Sequence, residues 1–153
     1  GTGSIIYAIL LLVLAACLNL LISMPLFFGC YIIGMFNDMS RVFPSKLKGY
    51  QECLLMVCLG LAFFGWRMML FAILFILAIQ LFDDVIDKQR DYLIEQRNWA
   101  HRFGSLECVI VAIIALLTAW DLETHFFPPV FTGAILSYSS ILLSEGWLKC
   151  WKL

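Results

Sequence analysis

Apolar residues fall in long blocks along this chain, separated by short polar stretches. Residues 1–37 carry no charge, and the apolar run from Ile5 to Phe36 is longer than the ~20 residues one membrane crossing needs. A polar segment follows, NDMSRVFPSKLK at 37–48. The next apolar block, Tyr50 to Phe82, is interrupted by Gly65-Trp66-Arg67, which predicts two helices joined by a tight turn. A charged stretch covers Asp83 to Arg102, and Glu107 to Trp120 is apolar again. DLETHFFPP then makes an acidic turn, and Val130 to Leu143 is the last apolar block. None of these blocks alternates apolar and polar over ~10 residues, as strands of a membrane barrel do.

The pattern predicts an all-α fold, a polytopic membrane helix bundle of about five transmembrane helices. A sixth enters if residues 5–36 cross twice. One long helix kinked near Pro25 is the expected form of that segment, and a short hairpin breaking at Ser23–Pro25 is the alternative. Asn19, inside the run, needs a polar partner.

Composition sharpens this class. Of 153 residues, 63% are hydrophobic and 14% charged, against about 25% charged in soluble domains. Mean hydropathy is +0.94. Net charge is −1, so nucleic acid is not an expected partner. The six cysteines form no CxxC pair and no ligand spacing with histidine; they read as small apolar residues. The opening Gly-Thr-Gly-Ser, without Met, is taken as a scar of expression or a fragment boundary. The first apolar run lacks a basic leader and is too long for a signal peptide.

Charge placement predicts orientation. The segments 38–48 and 83–102 and the C-terminal tail hold nine of the ten basic residues, Arg67 being the tenth, and the acidic turn at 121–125 holds none. By the positive-inside rule the basic ends face the cytoplasm. The expected location is therefore the bacterial cell membrane, with the aspartate-rich stretch on the cytoplasmic side.

That stretch, FDDVIDKQRD, puts Asp83, Asp84, Asp87 and Asp91 within nine residues. On a helix continued through 91, all four fall within an arc of roughly 100°, with Gln80 one turn deeper on the same face. Ionised together they repel one another, and at a helix C-terminus they also oppose the dipole. A divalent cation removes both objections. Hard oxygen ligands at this spacing suit Mg²⁺, which takes one or two carboxylates together with water and phosphate oxygens. A lipid with a diphosphate head fits a site at a membrane boundary, and Lys88, Arg97, His101 and Arg102 are candidates to hold its oxygens. The competing reading is a solvated loop of mixed charge.

LFDDVIDKQRD resembles the first aspartate-rich motif of the UbiA-like intramembrane prenyltransferases, N/D-D-x-x-D-x-x-x-D. The helix LFAILFILAIQLFDD is similar to that family's second helix, and SRVFPSKLKGYQECLLMVC to the lead-in of its first. The resemblance divides the chain into an extra N-terminal transmembrane segment at 1–39 and a UbiA-like four-helix half at 40–153. It implies Mg²⁺-dependent transfer of a prenyl group from a prenyl diphosphate to an aromatic or other acceptor in the membrane. It implies too that Asp83, Asp84, Asp87 and Asp91 are metal ligands rather than nucleophiles. The family's Arg-Pro…Gly segment is replaced here by RNWAHRFGS, which keeps Gly104 and lacks the proline. Family members also carry a second aspartate-rich motif on a second half. DMSR at 38–41 has one carboxylate, and DLET at 121–124 falls on the other side of the membrane, so neither supplies it. A fragment, a half that pairs with itself or with a second-half partner, and an inactive relative all fit.

The alternative is a non-catalytic integral membrane protein that binds lipid or a partner helix. A CDP-alcohol phosphotransferase would need D-G-x-x-A-R, which is absent. His125 reads as structural. Trp66, Trp120, Trp147 and Trp151 suit membrane interfaces and need no site.

Overall fold

The computed structural model describes residues 2–43, 45–88 and 98–150. Among them the chain is helical apart from turns and one isolated antiparallel bridge, between Val42 and Lys48. The main elements are α1 (Thr2–Leu18), α2 (Leu20–Gly34), a short 3-10 turn (Met35–Asp38), α3 (Gly49–Ile86), α4 (Trp99–Phe103), α5 (Ser105–Leu122) and α6 (Phe127–Cys150). Two helices, α3 and α5, are long and apolar enough to cross a membrane.

The first apolar run bends once, at Asn19, whose φ of −156° and ψ of 97° are extended. Ser23 Oγ donates to the Ala15 carbonyl at 2.9 Å. Eight residues of straight helix span ~12 Å, so this bond requires a sharp bend. Pro25, where the sequence suggests a kink, is buried inside α2 and leaves it continuous. Beyond the bend α1 is largely exposed, with Tyr7, Ile9 and Leu10 open on different sides.

α3 breaks at Gly65, where φ is 78° and ψ 166°. An L side chain is strained in that region, so glycine permits the turn. The chain folds back there. A methyl group added at Gly60 would collide with the Met69 side chain, and Val57 and Ile73, one from each arm, pack against the cluster that holds Met69. The tight turn expected at Gly65-Trp66-Arg67 is thus a helical hairpin, with arms at 49–64 and 66–86.

The second arm is the centre of the molecule. Near the turn, Met68, Phe71, Ala72 and Phe75 pack with Ala119 of α5 and Phe127 of α6. Farther along, Ala78 and Leu81 meet Ala100, Cys108, Ala112 and Ala115. On the other side Met69 meets Phe28 and Ile32 of α2. Cys108, Ala112, Ala115 and Ala119 recur every three or four residues, so α5 presents a strip of small side chains to the arm.

The two ends of the bundle differ. At one end lie the Gly65 turn and the turn between α5 and α6. There an Arg67 guanidinium nitrogen donates to the Leu122 carbonyl at 2.7 Å, and Arg67 Nε lies 3.8 Å from Glu123 Oε1. This satisfies a carbonyl that a helix C-terminus leaves without an intrahelical partner. At the other end are the segment leading into α3, the aspartates and α4, joined where Phe36 meets Trp99 with ring centroids 5.7 Å apart. Buried Glu52 anchors that end, its carboxylate accepting from Tyr31 of α2 and from Ser45.

Candidate functional site at the aspartate end

The helix that carries the aspartates ends sooner than a projection through 91 supposes. α3 stops at Ile86 and Asp87 is its C-cap, with its N–H on the Asp83 carbonyl at 2.8 Å. Asp83, Asp84 and Asp87 therefore share the final turn. Asp91 and Arg97 lie outside the described residues.

The three described carboxylates have different surroundings. Asp84 points into the protein and is 7% exposed. Its Oδ1 accepts from Gln80 Nε2 at 3.0 Å, and its Oδ2 accepts the backbone N–H of Trp99 at 2.8 Å. Its own carbonyl accepts from Asn98 Nδ2 at 2.7 Å. Asn98 Oδ1 in turn accepts the N–H groups of Ala100 at 2.7 Å and His101 at 3.3 Å, which makes Asn98 the N-cap of α4. Asp84 and Asn98 together pin α4 across the end of the hairpin. Asp83 is half-buried and accepts from the Tyr138 hydroxyl of α6. Asp87 is half-buried on the same turn.

The candidate cations are distributed around this turn. Lys88 Nζ donates to Ser105 Oγ at the start of α5, at 2.7 Å. His101 Nε2 donates to the Lys88 carbonyl at 2.7 Å, so this tautomer carries its proton on Nε2. The structure thus brings Lys88 and His101 together beside the aspartate turn. Arg102 is exposed, with its guanidinium carbon 5.2 Å from the centre of the Phe103 ring. Gly104, with φ of 105°, turns the chain from α4 into α5, and a Cβ there would collide with the Glu107 carboxylate.

Gln80 lies one turn before Asp84 and donates to it, with its side chain exposed. Asn98 and Tyr138 were missed by the sequence reading. Asn98 carries a local signal, a capping residue directly before a short helix. Tyr138 carries none, because its partner is 55 residues away in the chain.

Among the described residues no group of three or more His, Cys, Asp or Glu side chains converges as a metal cage. The donor chemistry of Asp83 and Asp87 does suit Mg²⁺, since they are hard oxygen ligands one helical turn apart. Asp84 has N–H donors on both oxygens. No known protein family, curated protein or solved structure matches this chain.

Proposed function

We propose that this chain is an integral membrane protein that binds a prenyl diphosphate at its polar end, as the donor-binding part of a UbiA-like prenyl transfer. The observation that carries this reading is the placement of two half-buried carboxylates, Asp83 and Asp87, next to Lys88, whose carbonyl accepts from His101, at one end of a bundle whose flanks are apolar and exposed. Leu106 is 69% exposed, Phe63 74% and Leu18 89%. Each such side chain left in water forgoes roughly 1.5–3 kcal/mol of burial, so hydrocarbon is the solvent these flanks suit. The prenyl tail lies among such side chains and the diphosphate at the aspartate turn. Asp83, Asp87 and Asp91 hold the cation in this reading, and Asp84 positions α4. Bound Mg²⁺ supplies charge neutralisation to the departing diphosphate. Lys88, His101, Arg97 and Arg102 bind its oxygens. The allylic centre passes to an aromatic or other acceptor, with a second half or a second copy completing the site.

The basic segments at this end favour a cytoplasmic orientation in a bacterial cell membrane. A second reading, a non-catalytic membrane protein that binds lipid or a partner helix, is favoured by the inward use of Asp84.

The test is binding of farnesyl diphosphate to the purified chain in detergent, with and without Mg²⁺, and with oligomeric mass recorded on the same sample. Saturable binding that disappears on chelation is expected. No binding at any Mg²⁺ concentration overturns the prenyl diphosphate reading and leaves the second.

A further inference from the structure

We infer that Tyr138 is a positioning residue for the Asp83 carboxylate. The inference deepens the proposed function and rests on it for the role of Asp83. Tyr138 lies eleven residues into α6, and its hydroxyl donates to Asp83 Oδ1 in a half-buried setting. The other α6 hydroxyls with described bonds do not leave their own helix. Thr132 Oγ1 returns to the Pro128 carbonyl at 2.7 Å, Ser137 Oγ to Gly133 at 2.8 Å and Ser140 Oγ to Ser137 at 2.7 Å. Among the described side chains, Tyr138 is therefore the one whose hydrogen bond ties α6 to the aspartate turn.

The first turns of α6 have apolar packing of their own. Phe127, Val130, Phe131 and Ala134 already pack them against the second arm of α3. What the phenol adds is local. A hydrogen bond to one oxygen fixes the rotamer and the plane of the carboxylate, and so the direction in which Asp83 offers its lone pairs. A short-reach hydroxyl such as serine at 138 would leave that gap unbridged, whereas the long phenol spans it from a neighbouring helix. A carboxylate held this way binds a cation with less ordering at the moment of binding.

The test uses Mn²⁺ as the probe, a hard cation whose binding is read by electron paramagnetic resonance on the full chain in detergent. Tyr138→Phe removes the hydroxyl and keeps the ring. Expected is an upward shift of the Mn²⁺ midpoint by about five- to tenfold, with the melting temperature nearly unchanged. The Mg²⁺ dependence of farnesyl diphosphate binding shifts in parallel. On an Asp83→Ala background the same substitution changes nothing further, an outcome a merely structural role would not give. An unchanged midpoint in Tyr138→Phe overturns the inference, as does a loss that adds to that of Asp83→Ala. Wild-type protein that takes no Mn²⁺ overturns it too. Mn²⁺ binding that responds to Tyr138→Phe, in a chain that binds no farnesyl diphosphate, overturns the proposed function and leaves the positioning role standing.

Discussion

Neighbouring aspartates on one turn do different work here, and substitution separates them. Asp84→Ala removes the acceptor of the Trp99 N–H and of Gln80 Nε2 at a site 7% exposed. Leaving the half-buried Trp99 N–H without a partner costs roughly 1–3 kcal/mol, whereas the exposed Gln80 amide can turn to other partners. The expected result is a lower melting temperature in detergent, with α4 loosened. Asp87→Ala acts on a half-buried C-cap and is expected to leave the melting temperature almost unchanged while abolishing Mg²⁺-dependent farnesyl diphosphate binding. Equal melting of Asp84→Ala and wild type would remove the anchoring role. The helical turn that carries Asp83, Asp84 and Asp87 was legible in the sequence because helical spacing is local. The inward turn of Asp84 was not, because its partners Asn98 and Trp99 lie fourteen and fifteen residues on, across a charged stretch without periodicity. Asn98 itself was legible in principle, as a capping residue ahead of Trp99.

At the level of elements, the two breaks in the apolar blocks contrast. Gly65 was readable because glycine next to an interfacial Trp and a charge is a strong local signal, and the backbone there adopts a conformation other residues resist. Gly65→Ala is expected to destabilise the hairpin by about 1–3 kcal/mol, read as a drop in melting temperature. An unchanged melting temperature would mean that the turn relaxes to ordinary helical angles. The bend at Asn19 was not readable, since Pro25 is the stronger local signal. Proline removes one N–H donor, yet helices in apolar surroundings tolerate it where neighbouring helices cover the gap. Pro25 is buried in α2, whereas the bend at Asn19 is bridged by the Ser23 hydroxyl on the Ala15 carbonyl. Where a helix bends depended on which site found a replacement hydrogen bond, and residue type alone does not specify that.

For the whole molecule, the hairpin and the α5–α6 turn sort the charges onto two ends. Lys48 caps the start of α3 and Lys88 follows its end, so both lie at the open end of the hairpin with α4 and its Arg102. Arg67 sits at the closed end, where Leu122 and Glu123 meet it. A paired arginine at that end is a weaker retention signal than the basic loops opposite, so the open end is expected to stay in the cytoplasm. Reporter fusions check this. Alkaline phosphatase joined after Thr124, which is exposed in the α5–α6 turn, is expected to be active. Green fluorescent protein joined after Arg102 is expected to fluoresce. The reversed pattern would place the aspartate turn outside the cell, where no cytoplasmic pool of prenyl diphosphate reaches it. That result would remove the substrate from the proposed site even if Mg²⁺ binding survived.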